Sequence, residues 1–178
     1  IVVDGAYMEY ASAKDIACQV RPKDLLVYPN VIYLGTFSKA YALGGMRVGY
    51  GIAQHQIIKE IAKMRPPFNI TSLSLAAAIA ALDDDEFIAQ SLKLHATQIQ
   101  RYEEFAHKHG ITYIPSYTNF ITFMLDDTLN STEIADNLLR QGIIIRNLAS
   151  YGLNAIRITV GTRKQNDIFF ENFKKMIQ

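Results

Sequence analysis

A single cysteine, Cys18, leaves a chain of 178 residues without an internal disulfide framework and without a multi-cysteine metal site. That scarcity fits a reducing cytoplasm, and Cys18 itself is expected as a buried small hydrophobe. Long apolar runs are missing too: the longest, Leu73 to Leu82, is too short to span a bilayer. Neither charge sign dominates. Lys+Arg 18 against Asp+Glu 17 nets +1, which argues against a nucleic-acid or membrane-surface partner and makes any useful positive charge a local matter. There is no Ser/Gly linker, internal repeat or low-complexity tract, and no basic, apolar, cleavable leader. What is present is an ordinary globular composition, 49% hydrophobic and 20% charged, enough for one generous domain or two small ones. The chain opens without Met inside the β-branched run Ile1-Val2-Val3, which predicts that it belongs to a longer protein.

The first third alternates short β-branched runs with helical stretches, a pattern that favours a parallel α/β sheet. Strands are expected at the opening run, at Val31 to Gly35 and at Arg47 to Ile52, with a helical region at Tyr7 to Ala17. Apolar residues at Ile57, Ile58, Ile61 and Ala62 have helical spacing, and Arg65-Pro66-Pro67-Phe68 stops that helix because proline cannot donate a helix hydrogen bond. From Thr71 to about His109 two helices are expected, joined near Asp83-Asp84-Asp85 and capped by Gly110. Then follow strands at Ile111 to Ile114 and Asn119 to Leu125, a helix at Ser131 to Arg140, strands at Ile143 to Arg146 and Ala155 to Val160, and a helix at Arg163 to Ile177. The soft boundary lies in the helical region, giving domains at 1–85 and 86–178.

The densest chemical signal runs from Thr36 to Gly51. It leaves a buried strand through Thr36, Ser38 and Lys39, turns at Gly44-Gly45, and presents Arg47. Two hydroxyls and a guanidinium make a compact anion cradle, since arginine matches phosphate through parallel hydrogen bonds. Ahead of it Asp4 ends a strand and Tyr7 follows three residues on. In open α/β sheets ligands sit beyond the carboxyl ends of strands. A lysine, a carboxylate and a phosphate anchor at such ends are what pyridoxal 5'-phosphate requires. Taken alone, Asp4 also reads as a helix cap or structural ion pair, and Lys39 and Arg47 as solvated residues around a turn.

Val-Val-Asp-x-Ala-Tyr followed by Thr-Phe-Ser-Lys-Ala-Tyr-x-Leu-x-Gly-x-Arg-x-Gly-Tyr resembles the fold-type I, class II pyridoxal-phosphate aminotransferases, most closely the histidinol-phosphate aminotransferase family. Arg65 to Thr71, Thr118-Asn119-Phe120, Gly142 to Arg146 and Ile156 to Thr162 match it in the same order. The resemblance implies part of a PLP-transferase large domain, α/β with a mostly parallel sheet, followed by an α+β C-terminal small domain. It implies Lys39 as the Schiff-base lysine, Asp4 as partner of the pyridinium nitrogen and Tyr7 as donor to the cofactor's phenolic oxygen. Thr36, Ser38 and Arg47 fall on its phosphate, and Arg157 on the substrate anion. Arg146 either assists with the substrate phosphate or caps the small domain, and Asn119 either orients arginine or substrate or serves as a turn residue. The implied reaction exchanges the amino group of histidinol phosphate with 2-oxoglutarate, giving imidazole-acetol phosphate and glutamate in histidine biosynthesis, in a homodimer. Gly5 departs from relatives that carry Glu there. The family's phosphate-binding turn, ring-stacking aromatic and partner-reaching tyrosine have no counterpart in this stretch.

Rival readings share the cofactor constellation: a threonine-phosphate decarboxylase, an aromatic aminotransferase, or a regulator domain that binds the cofactor without turnover. His55, His95, His107 and His109 lack metal-ligand spacing; His107 and His109 suit the end of a helix, and Asp83 to Glu86 the start of one. The Ile57/Ile58/Ile61 and Phe169/Phe170/Phe173 stripes read as core.

Overall fold

The computed structural model describes residues 1–177; the last residue of the expected 86–178 domain lies outside it. The chain divides into two compact units, one ending at Leu92 and the other beginning at Lys93.

In the first unit β1 (Val2–Asp4), β2 (Ile32–Thr36) and β3 (Gly49–Ala53) form a sheet in that order. β1 and β2 are parallel, with Val3 opposite Tyr33 and Asp4 opposite Leu34. Between them run α1 (Met8–Lys14) and the short α2 (Pro22–Leu25), the latter started by Pro22 at a position where a missing N–H costs nothing. The expectation of parallel pairing fails at β3, which runs antiparallel to β2 with Gly35 opposite Tyr50. Residues 37 to 48 contain only a 3-10 turn, Gly44–Met46, and no helix of the kind that usually carries a parallel return. The expected strand start at Arg47 is also displaced: Arg47 has φ 57, a left-handed conformation no strand accepts.

α3 (His55–Lys63) ends just before Pro66-Pro67, and none of its residues is fully buried, so the Ile57/Ile58/Ile61 stripe is a half-covered face rather than core. α4 (Ser72–Leu82) is capped by Thr71, whose side chain accepts the Ser74 N–H. α5 (Asp85–Lys108) follows after Asp83-Asp84, with Asp84 Oδ1 accepting the Phe87 N–H. Its end is closed by Gly110 at φ 68 and by the Ile111 N–H bonded to Ala106 O. Cys18 is exposed, not buried, because it sits at the end of a 3-10 turn capped by Asp15.

In the second unit β4 (Thr112–Ile114), β5 (Phe120–Met124), β6 (Arg146–Asn147) and β7 (Ala155–Thr159) form an antiparallel sheet ordered β4-β5-β7-β6. α6 (Ser131–Arg140) is capped by Asn130 and α7 (Arg163–Lys174) by a reciprocal Thr162/Gln165 capping box. Ile99, Tyr102 and Ala106 of α5, Ile121 and Phe123, Ile134 and Leu138, Ile156 and Ile158, Phe169 and Phe173 form one buried cluster. The expected strand at Ile143 to Arg146 shrinks to Arg146–Asn147. Gly142 at φ 78 and the Ile143 N–H bonded to Leu138 O close α6 over those residues, while Ile143 and Ile145 still pack on the core.

Candidate functional site

Because β1 and β2 are parallel and paired at Asp4 and Leu34, their carboxyl ends open on the same edge. Asp4 is exposed there, and its Oδ1 accepts the Ala6 N–H at 3.0 Å. Asp4 does not cap α1, whose N-cap Tyr7 has no side-chain cap bond; the turn uses one Asp4 oxygen, and the carboxylate keeps acceptor capacity on the other. The same turn delivers Tyr7 to the N-cap of α1. Past β2, Phe37 and Ala40 are buried at 6% and 2% exposure and pin the bend on either side of half-buried Ser38 and Lys39. The loop neck is closed by Phe37 N–H to Val48 O, 3.1 Å, and Leu43 N–H to Phe37 O, 2.9 Å. Lys39 Nζ lies 5.3 Å from the centroid of the Tyr7 ring, so the structure brings together two residues that are 32 positions apart in the chain.

Thr36 Oγ1 accepts the Ser38 N–H at 3.1 Å and donates to Val48 O at 3.3 Å. A hydroxyl has one proton, so Thr36 shapes the loop first and reaches an anion only by giving up Val48. Arg47 is exposed, and its Nη1 donates to Gly44 O at 2.8 Å, using one of five guanidinium N–H donors. Behind the turn, burial raises the Glu9 carboxyl above its ordinary range. Burial first, and the Glu9 charge second, also raise the Tyr41 and Tyr50 phenols. Sequence reasoning missed this tyrosine-rich layer, although Tyr33, Tyr41 and Tyr50 all stand in or beside the motif it singled out.

The second unit holds a separate cationic cluster. Ile156 and Ile158 enter the core, so the alternation of a strand puts Arg157 on the opposite face. Arg157 stands directly across from Arg146 on one side and Thr122 on the other. The Arg157 guanidinium lies 4.6 Å over the Phe120 ring, and Arg146 Nη2 meets Tyr151 Oη at 3.3 Å. Among the described ion pairs neither arginine takes part. Facing like charges repel in a bare sheet, and an anion between them reverses the sign. Asn119 is half-buried one residue before β5, where its carbonyl accepts the Val160 N–H. Phe120 and Tyr151, which hold the guanidinium planes, escaped the sequence reading. The antiparallel register that sets Phe120 diagonally from Arg157 was the missing signal.

Among the described residues no group of three or more His, Cys, Asp and Glu could hold a metal ion, and no helix is long and apolar enough to cross a membrane. His107 stands in the last turn of α5, with its Nε2 3.2 Å from Tyr113 Oη.

The chain matches the aminotransferase class I and II family over residues 1–173. A histidinol-phosphate aminotransferase of Sulfurovum sp. is 64% identical over 99% of this chain and 49% of its own length. That of Campylobacter lari is 56% identical over 98% of this chain and 48% of its own. The crystal structure of histidinol-phosphate aminotransferase from Sinorhizobium meliloti in complex with pyridoxal-5'-phosphate has a TM-score of 0.87 at 32% identity, covering 99% of this chain and 48% of that one. The enzyme from Clostridium acetobutylicum gives 0.88 at 26% identity, with 99% and 54% covered. The chain therefore spans about half the length of the curated relatives it matches. With the strand-end lysine, carboxylate and tyrosine in place and the match running through nearly every residue, this chain belongs to the class I and II aminotransferases.

Proposed function

We propose that the protein of which this chain forms about half is a pyridoxal-phosphate-dependent aminotransferase that exchanges the amino group of histidinol phosphate with 2-oxoglutarate, a step of histidine biosynthesis. The observation that carries the reading is Lys39, pinned between buried Phe37 and Ala40, beside Tyr7 and at the same sheet edge as Asp4. This donor set fits the cofactor: an amine for its aldehyde, a carboxylate for its ring nitrogen, a phenol for its oxygen, and Ser38 and Arg47 for its phosphate. When bound, pyridoxal 5'-phosphate supplies an aldehyde and an electron-accepting ring.

Lys39 holds that group through its ε-amine and, once a substrate amine takes its place, moves a proton as general base and then acid. Asp4 keeps the ring nitrogen protonated by offering a negative charge. Thr36 holds the loop neck closed and adds to the phosphate contacts after release from Val48. Arg157 and Arg146 take the distal anion of the substrate. A guanidinium forks equally well to a phosphate ester or a carboxylate, so the same pair serves histidinol phosphate in one half-reaction and glutamate in the other. Asn119, beside Phe120, helps set the arginine's position.

We also infer a large-domain remainder at 1–85, a small domain at 86–178, a cytoplasmic location in keeping with one free thiol, and a homodimer. Met64, Phe68 and Leu73, exposed at 85%, 99% and 70%, leave an apolar segment for the rest of the protein or a second copy to cover.

The test is an absorbance spectrum of the full-length protein with pyridoxal 5'-phosphate, before and after histidinol phosphate, with Lys39→Ala as control. A band that depends on Lys39 and changes on adding histidinol phosphate is expected. Absence of any Lys39-dependent band overturns the cofactor assignment; a band unmoved by histidinol phosphate overturns the substrate.

A further inference from the structure

Gly5 sits between the two residues of its turn that face the cofactor in this reading, Asp4 and Tyr7. Its φ lies outside the left-handed region, so no backbone conformation demands glycine. Space does. A Cβ at position 5 would stand 2.1 Å from Tyr33 Oη and 2.2 Å from Tyr33 Cζ. Val3 pairs with Tyr33, which puts residue 5 and the Tyr33 ring on one face of the sheet, and that ring is only 3% exposed. The next pair repeats the arrangement: Gly35 faces Tyr50, and a Cβ there would lie 2.2 Å from Tyr50 Cζ. Ring centroids continue from Tyr33 to Tyr50 at 6.4 Å, Tyr50 to Phe37 at 5.9 Å and Phe37 to Tyr41 at 4.9 Å. A row of aromatic rings thus runs from beneath the Asp4–Tyr7 turn to the neck of the Lys39 loop. Backbone bonds tie the turn to the same strand, with Gly5 N–H donating to Leu34 O at 2.8 Å and Met8 N–H to Gly5 O at 3.0 Å.

We propose that Tyr33, seated over Gly5, is a positioning residue that braces the Asp4–Tyr7 turn and keeps it in register with the Lys39 loop. The proposal rests on the cofactor reading above. Burial first, then the Tyr50 phenol and the Glu9 carboxylate, push the Tyr33 phenol up to about 12, so the brace stays neutral through the physiological range. Ring and side chain exclude one another: any residue at 5 larger than glycine must move Tyr33, and with it the ring row.

The experiment uses the full-length protein with four variants, Tyr33→Ala, Tyr33→Phe, Gly5→Ala and Gly5→Ala/Tyr33→Ala. Three quantities are read: the dissociation constant for pyridoxal 5'-phosphate, the pH midpoint of the Lys39-dependent band, and the thermal midpoint of the cofactor-free protein. Tyr33→Ala and Gly5→Ala should each weaken cofactor binding by about tenfold, the scale on which supporting contacts act, and shift the pH midpoint. Tyr33→Phe keeps the ring and should match the wild type. Gly5→Ala should add little in the Tyr33→Ala background, because the clash is gone. A fall in thermal midpoint alone, with affinity and pH midpoint unchanged, makes Tyr33 a packing residue and overturns the proposal. So does a Tyr33→Phe protein as impaired as Tyr33→Ala. Should Tyr33→Ala not fold, Gly5→Ala and Tyr33→Phe decide by the same readings. A wild type without a Lys39-dependent band removes the cofactor reading itself, a result distinct from a normal band that Tyr33 variants leave unmoved.

Discussion

The two units differ in how they hold themselves together. In the second, residues from α5, α6, α7, β5 and β7 interlock in one cluster, with Ala106, Ile121, Phe123, Leu138, Ile156 and Phe173 at 0% exposure. In the first, the buried cluster is Phe37, Val48 and Ala78, rimmed by half-buried Tyr41, Leu43 and Met46, while Ile1, Val2 and Leu34 are exposed. The contrast teaches that the two units position their polar side chains by different means. The well-packed unit presents its arginines from the back of strands whose other face is core, so their positions follow from strand alternation. The first unit presents Asp4, Tyr7, Lys39 and Arg47 from turns, and it places them through hydrogen bonds, left-handed residues and aromatic rings.

The sharpest way to break this contrast is to truncate a buried ring in each unit. Phe123→Ala should cost about 3–5 kcal/mol in denaturant unfolding, and Phe37→Ala, with fewer buried neighbours, about 2–3 kcal/mol. Equal losses would mean that the first unit is packed as tightly as the second. Next in size is Asn166, 1% exposed, which takes hydrogen bonds from Tyr102 Oη and Gly161 N–H and donates to Gln98 Oε1 and Gly161 O. Asn166→Ala strands those buried groups and should cost about 2–3 kcal/mol; a loss near zero would show that the cluster tolerates unpaired polar atoms.

The smallest effect concerns pH. The Tyr33 phenol is raised from its ordinary value near 10 to about 12 in the folded protein. Its neutral form is the one the fold favours, so its contribution is complete below pH 10 and declines as pH rises toward 12. Thermal melts of wild type and Tyr33→Phe should coincide at neutral pH and separate above pH 10, with the variant losing less. Parallel curves to pH 12 would count against the buried position of that phenol.

Several elements were legible because their signals are local. Pro66-Pro67 ended α3, the acidic joint began α5, Gly110 closed it, and α6 fell at Ser131–Arg140 as its apolar spacing required. The direction of β3, the shortened β6 and the exposure of Cys18 were misread because short backbone devices decide them: a connection without a helix, a glycine-closed helix end and a 3-10 turn capped by Asp15. Arg47 illustrates the limit within one motif: its place beside the glycine pair can be read directly, but its left-handed backbone and its bond to Gly44 cannot.

By itself the sequence determined the family pattern, the order of most elements and the set of chemically able residues, since composition, periodicity and motif spacing are properties of neighbours along the chain. Only the tertiary structure decided that Lys39 lies over Tyr7, that Arg146 faces Arg157, and that Tyr33 occupies the room of a side chain at Gly5. Those are contacts between residues 32, 11 and 28 positions apart, and strand register and volume exclusion set them, which no local pattern encodes.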